Sequence, residues 1–459
     1  MSLAERLEKA LGPQGVIADA AGMARYLTDW KRSVTGEALC VARPASTGEV
    51  AKVVRLAAEA GVPIVPQGGN TGLSAGAVPL PAGRQLLLSL ERMRAIRACD
   101  PVGLVLEAEA GCVLQTAQER AKAEGCLLPI SFAAEGSATV GGVVSTNAGG
   151  VNVLRYGMTR AQVLGLEVVL ADGQIVRGLR RLRKNNAGYD WKQLFIGAEG
   201  TLGVVTAAVL RLVPLPRHQV TSLLAVESPA AALELLALAQ REIGDQISMF
   251  ELMSPTSVEL LATELGRAAP IEAGGGWLVL TEFASSLPGL AEAAEAVLAA
   301  ALEQGIAHDA VLAQSEAQRA ALWSLREHLP EAELRAGPSA KHDVSVPVSA
   351  APAFLAAADR ALAGEPSPPR VNAFGHLGDG NIHYNVLLGQ AHDVGRINRL
   401  VHDVVTAMGG SISAEHGLGQ YRVAEWARVA PPEEVALARS VKRQVDPQGR
   451  FNPGKIFGD

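Results

Sequence analysis

The chain has 459 residues, 48% of them hydrophobic, with 41 basic and 47 acidic side chains and a formal net charge of −6. That length suggests two or three domains with sizeable cores. The acidic balance points away from nucleic acid. No apolar run reaches the roughly 20 residues of a membrane span. The opening MSLAERLEKALGPQG lacks a signal peptide's apolar core, and its Glu5 and Glu8 argue against a transit peptide.

Residues 1–37 read as an N-terminal cap segment, beginning with a short amphipathic helix that closes near Gly12 and Pro13. Next, STGEVAKVVRLAAEAG (46–61) predicts a helix. Ser46 and Glu49 make a capping-box pattern, Val50, Val53, Val54 and Ala57 form the apolar stripe, and Gly61 can end it. VPIVPQGGNTGLSAGAV continues as a short strand and a glycine-rich loop, and LEAEAGCVLQTAQERAKAEG repeats the strand-then-helix pattern. Mixed α+β is the expected class. Cys40, Cys99, Cys112 and Cys126 show no CxxC spacing. Iron–sulfur and zinc-ribbon sites are thereby excluded, and buried thiols in a reducing, cytoplasmic setting fit instead.

Three glycine-rich segments mark the N-terminal half: PQGGNTGLSAG (66–76), AAEGSATVGGVVSTNAGG (133–150) and NNAGYDWKQLFIGAEGTLGVVT (185–206). None has a Rossmann or Walker A spacing. Successive glycine N–H groups form anion-binding nests, so three such loops suggest a long polar ligand held by backbone. Together they resemble the FAD-binding domain of the vanillyl-alcohol-oxidase type, or PCMH domain, over residues 38–216. The resemblance implies that Pro66, Gly68, Gly69, Asn70, Thr71 and Gly72 lie at the pyrophosphate. It implies that Glu135, Gly136, Ser137, Thr139, Gly142, Ser145, Asn147, Gly149, Glu199, Gly200, Gly203 and Val204 hold the flavin ring and adenosine. Some members attach FAD through a histidine near the first loop. This chain has Asn70 there and no histidine before His218, so non-covalent FAD is expected.

From about residue 217 the pattern becomes strand, helix, strand, as in TSLLAVES, PAAALELLALAQREI and WLVLTEFA. It predicts an antiparallel sheet with helices on one face, and residues 217–459 form the second domain. In FGHLGDGNIHYN (374–385), His376 and His383 flank the turn-forming GDGN. If the chain folds back there, His376 lies opposite His383, and cross-strand Cβ atoms are roughly 4.5–5.5 Å apart. The pair suits either one shared metal ion or an ordinary polar hairpin. SAEHGLGQ (413–420) adds Glu415 and His416 on glycine-loosened backbone. Two imidazoles and one carboxylate leave open positions, as a catalytic zinc does, whereas His416 as a fourth ligand would make the site structural. Arg326, on an apolar helix, and Lys341, at the start of a strand, together suit a carboxylate. His308, His328, His342, His392 and His402 read as ordinary surface or core histidines.

These motifs resemble the FAD-linked D-2-hydroxy-acid dehydrogenases, of the D-2-hydroxyglutarate and D-lactate class, over nearly the whole chain. The resemblance implies a PCMH-type FAD domain followed by an FAD-linked oxidase C-terminal domain. It implies His376, His383 and Glu415 as ligands of a divalent metal, usually zinc. His416 would be the base, Arg326, Lys341 and Asn385 the substrate-binding residues, and FNPGKIF would return to the flavin with Asn452 and Lys455. Pro330 departs from the 2-hydroxyglutarate members, which carry a hydroxyl residue one helical turn after the arginine. The expected reaction is oxidation of a D-2-hydroxy acid to the 2-oxo acid, with electrons passed to an electron-transfer flavoprotein or a quinone. An oxygen-using oxidase of the same fold and a non-catalytic flavoprotein subunit of a larger complex are the alternatives, and a homodimer is a compatible assembly.

Overall fold

The computed structural model describes residues 1–365 and 367–458. They group into two compact units. The first holds residues 1–150, 157–215 and the chain from Glu415 onward, and the second holds 151–156 and 216–414. The expected three-part division cut the chain differently. Its cap segment, 1–37, belongs with the first unit, and so does the last stretch of the chain.

In the first unit, a four-stranded sheet runs in the order Val16–Ile17, Ala38–Ala42, Gln85–Ser89, Ile64–Gln67. Its last three strands are parallel. The helix Thr47–Glu59 follows the expected stripe, burying Val50, Val53, Val54 and Ala57. Ser46 accepts the Glu49 N–H at 3.2 Å, but the Glu49 carboxylate accepts from Ala45 at 2.7 Å rather than from Ser46. The capping box is thus displaced by one residue. A second, antiparallel sheet orders Ile96–Asp100, Val105–Glu109, Val204–Arg211, Val163–Val169 and Ile175–Gly178. Helices Leu114–Ala123 and Val140–Thr146 contribute to the core on this sheet. The thiols of Cys40, Cys112 and Cys126 are buried and all four cysteines are free.

The second unit is an antiparallel sheet. Its order is Asp309–Leu312, His218–Val226, Trp277–Ser285, Ile247–Met253, Val371–His376, Asn381–Leu387, Ser339–Ala340, and Asp343–Ser345 also pairs with Asn381–Leu387. Residues 220–226 are buried without a break. Successive side chains point to opposite faces, so both faces of that strand are covered, not one as expected. One core joins Leu223, Leu280, Met253 and Phe374 of the sheet to Leu260, Leu261, Trp323, Leu325 and Leu329 of the helices. No helix among the described residues is long and apolar enough to cross a membrane.

Candidate functional site

In the first unit the three glycine-rich segments meet one another. The strand Ile64–Gln67 delivers the chain into the first loop. A Cβ on Gly69 would drive into the Ser137 carbonyl oxygen, and one on Gly68 into Thr139 Oγ1. Only glycine permits that approach. Asn70 adopts φ +52° and is held by its Nδ2, which donates to the Thr28 carbonyl at 2.8 Å. Among the described residues the N–H groups of Asn70, Thr71 and Gly72 have no backbone acceptor. Thr139 caps the helix Val140–Thr146. The third segment is tied to the second by Gly197 N–H to Val144 O at 3.0 Å and Glu199 N–H to Ser145 O at 2.7 Å. Gly200 packs its backbone on the Pro66 ring.

The C-terminal stretch completes this unit. Asn452 Nδ2 donates to the carbonyls of Gly76 at 2.9 Å and Glu199 at 2.7 Å, while its buried Oδ1 has no hydrogen-bond partner. Glu415 Oε1 accepts the Gly150 N–H at 2.6 Å, and a Cβ on Gly149 would come within 2.7 Å of it. Ser74 Oγ donates to the His416 carbonyl at 3.0 Å. Glu199 accepts the N–H groups of Leu418 and Gly419, each at 2.8 Å. Burial pushes the Glu199 carboxyl up, against those bonds. Burial also pushes the Lys455 ammonium down to about 8, against the pull of Glu199. Uncommitted loop N–H groups, an orphaned buried amide oxygen and glycines at close approach fit a phosphate-bearing dinucleotide such as FAD. Gly136 and Ser137 are exposed, and Glu135 accepts from Ser131 Oγ and Gln118 Nε2. Val204, by contrast, is 1% exposed within the hydrophobic core, and Gly203 packs on Val169 and Phe195.

In the second unit His376 ends the strand Val371–His376 and His383 lies in Asn381–Leu387. The residue opposite His383 is Phe374, not His376, so the register is displaced by two from the expected pairing. An even displacement keeps side chains on the same face. The two imidazole centroids are still 5.7 Å apart. The three-residue 3-10 turn Leu377–Asp379, which Gly380 closes in the left-handed region, takes up the difference.

Arg326, in the last turn of the helix Glu316–Glu327, joins the same group. Its Cζ stands 4.8 Å from the Phe374 ring centroid, and Phe374 in turn lies 5.2 Å from His383. Arg326 Nε donates to Glu251 Oε2 at 2.6 Å, and Glu251 Oε1 bonds His376 Nδ1. Arg326, Phe374, His383, His376 and Glu251 thus close a ring of contacts. Burial alone would raise the Glu251 carboxyl, but His376 and Arg326 hold it down at about 2. Burial pushes the nearby Asp379 up to about 6, although His376 opposes this.

Lys341 follows the strand Ser339–Ala340 rather than beginning one. It donates to Glu333 Oε1 at 2.6 Å. Asn385 and Asn372 both donate to Glu333 Oε2, each at 2.8 Å. Glu333 is 0% exposed, and its carboxyl is lowered by Lys341 and these hydrogen bonds despite burial. Asn385 and His383 lie two apart on one strand, so both nodes share a sheet face. Pro330 is exposed, in the first turn of a separate helix, Leu329–Ala336. The expected single helical turn from Arg326 is therefore broken at His328.

Glu251, Glu333 and Phe374 were not anticipated from the sequence. A carboxylate inside the apolar strand ISMFELM was the available signal for Glu251. The two imidazoles supply nitrogen donors of the kind zinc takes, and with one carboxylate they make an acceptable donor set.

The family described as FAD binding domain matches residues 38–178, and the family described as FAD linked oxidases, C-terminal domain, matches residues 215–456. The chain is 39% identical to "D-2-hydroxyglutarate dehydrogenase" of Xanthomonas citri pv. viticola, over 98% of this chain and 96% of that one. It is 37% identical to the protein of that name from Stutzerimonas stutzeri, over 99% of each chain. It is 38% identical to "D-2-hydroxyglutarate dehydrogenase, mitochondrial" of Bos taurus, over 97% of this chain and 81% of that one. Among solved structures, p-cresol methylhydroxylase shares the fold at TM-score 0.76 and 17% identity, covering 100% of this chain and 96% of that one.

Proposed function

The chain belongs to the FAD-linked D-2-hydroxy-acid dehydrogenases and is an FAD-dependent oxidoreductase, and from that premise we propose that it oxidises D-2-hydroxyglutarate, or a related D-2-hydroxy acid such as D-lactate, to the 2-oxo acid. The observation that carries the reading is 37–39% identity over nearly the whole chain to relatives named for that activity. When bound, FAD supplies the acceptor for the C2 hydride. A divalent ion such as Zn²⁺, when bound, supplies Lewis acidity toward the substrate oxygens.

The protein's own part is to bind, orient and deprotonate. Arg326 and Lys341 attract the carboxylate end, with Arg as a planar fork, and Asn385 adds an amide donor. His376, His383 and Glu415 are the residues that would hold the ion. His416 takes the hydroxyl proton at its imidazole, the side chain that most often serves as a general base. Non-covalent FAD and transfer to an electron-transfer flavoprotein or quinone belong to the same proposal. So does the cytoplasmic setting, although the bovine relative carries a mitochondrial name.

The test is anaerobic mixing of the purified flavoprotein with D-2-hydroxyglutarate and, separately, D-lactate, following the flavin absorbance near about 450 nm. Faster bleaching by the dicarboxylate supports the 2-hydroxyglutarate assignment. Preference for lactate would tie Pro330 to a changed substrate. No bleaching by either acid, with metal present, would refute the proposal.

A further inference from the structure

Glu251 lies in the middle of a sheet, 1% exposed, on a strand whose only other polar side chain is Ser248. A carboxylate there costs desolvation that a leucine would not. It is not isolated. One oxygen takes the Nε–H of Arg326 at 2.6 Å, and the other meets Nδ1 of His376. Glu251 and His376 are also direct cross-strand partners, so the backbone fixes the approach.

The chemistry of this contact assigns a proton. A carboxylate paired with an arginine is ionised and only accepts hydrogen bonds. His376 Nδ1 must therefore be the donor, and the lone pair of the neutral ring then resides on Nε2. On the other side, the bond at Nε leaves the Nη1 and Nη2 edge of Arg326 as the part that can meet a carboxylate in fork geometry. The ring of Phe374 lies under the guanidinium, with 4.8 Å from Cζ to its centroid, and its centroid is 5.2 Å from that of His383.

We infer that Glu251 is a positioning residue that holds His376 in the Nδ1–H tautomer, so that Nε2 is its metal-binding nitrogen, and at the same time fixes the guanidinium of Arg326 that reads the substrate carboxylate. The inference rests on the proposed roles of His376 and Arg326. It adds the device that couples them, one carboxylate shared by a metal ligand and a substrate-binding residue. Loss of Glu251 then disturbs both functions together.

The experiment titrates the metal-free, FAD-loaded full chain with Zn²⁺ against a chelating dye. Glu251→Gln offers one acceptor oxygen to two donors; Arg326 is a permanent donor and takes it, so the amide NH₂ faces His376 and the grip on its Nδ1–H tautomer is lost. Expected is a 10- to 100-fold weaker Zn²⁺ affinity, the usual cost of losing an outer partner of a ligating histidine, with the FAD content unchanged. In a His376→Ala background the same change should alter the affinity less than about twofold, because coupled residues are not additive. If the unaltered protein takes up no Zn²⁺, the metal role of His376 fails and this inference with it. If the unaltered protein binds Zn²⁺ and Glu251→Gln binds it equally well, the role of Glu251 alone is overturned. Should Glu251→Gln not fold, ¹⁵N NMR of histidine-labelled unaltered protein reads the tautomer directly, with the His376 signal assigned by His376→Gln. Nδ1–H is expected, and an Nε2–H tautomer overturns the inference.

Discussion

Glu333 is the residue whose replacement tests the second unit most directly. Its carboxylate accepts Lys341 and Ser339 on one oxygen and Asn372 and Asn385 on the other. Glu333→Gln keeps the shape but has only one acceptor oxygen. The cheaper orientation leaves that oxygen toward the two buried asparagines. The new NH₂ then faces Lys341, whose side chain is 46% exposed and can turn to water, and Ser339, whose hydroxyl can rotate. The cost is mainly two charge-assisted bonds becoming neutral, about 1 kcal/mol each, or about 2 kcal/mol in all. Glu333→Ala leaves both asparagine amides without that acceptor, at about 1–3 kcal/mol each, or about 4 kcal/mol. For a domain of this size the melting temperature should drop by about 4–8 °C and about 8–16 °C respectively. Calorimetry at pH 7 with saturating FAD checks it. Because Lys341 and Asn385 share this anchor, KM for the hydroxy acid should rise in both variants. An alanine variant melting within about 2 °C of the unaltered protein would refute the idea that one buried carboxylate organises these donors.

The remaining predictions concern the cradle, the acid limb and the chemistry. Gly69→Ala forces a Cβ against the Ser137 carbonyl; overpacking of about 1–3 kcal/mol should appear as purified protein with a visibly lower ratio of flavin to protein absorbance. Glu251 is held below its ordinary value of 4.5, at about 2. Its stabilisation is therefore present above 4.5 and lost as pH falls through that window. The urea midpoint should decline over that range, and less steeply in Glu251→Gln. Removing divalent ions with a chelator should retain FAD but slow substrate-driven bleaching on the order of 100-fold; an unchanged rate would exclude a metal from the reaction. His416→Ala should likewise retain FAD and lose about 10²–10⁴-fold in flavin reduction, and stopped-flow absorbance measures it.

Local chemistry was legible along the chain. The helix Thr47–Glu59, the strand Trp277–Ser285 and the helix Pro229–Ile243 follow directly from apolar periodicity and capping residues. The glycines at 68 and 69 announced a close approach, and the paired histidines announced a shared neighbourhood, because both signals are carried by a few adjacent residues. What approaches those glycines is another matter. Ser137 and Thr139 lie some seventy residues away, and no local pattern encodes that distance.

The same limit explains the register of the histidine strands. Turn propensity located the reversal, but the 3-10 turn and the pairing with Glu251 decided that Phe374 opposes His383. Tertiary structure also gave Arg326, Lys341 and Asn385 their partners. As isolated cationic side chains Arg326 and Lys341 suggested a carboxylate ligand, yet the carboxylates they meet are Glu251, 75 residues from Arg326 in the chain, and Glu333, 8 residues from Lys341 and 52 from Asn385. The sequence by itself determined the main helices and strands and the glycine-rich FAD segments, since those depend on residue kind and short spacing, and its resemblance to a known family gave the class of chemistry. Only the fold decided which nitrogen of His376 faces a carboxylate and which residues share one sheet face, because burial and hydrogen-bond partners are properties of distant segments brought together.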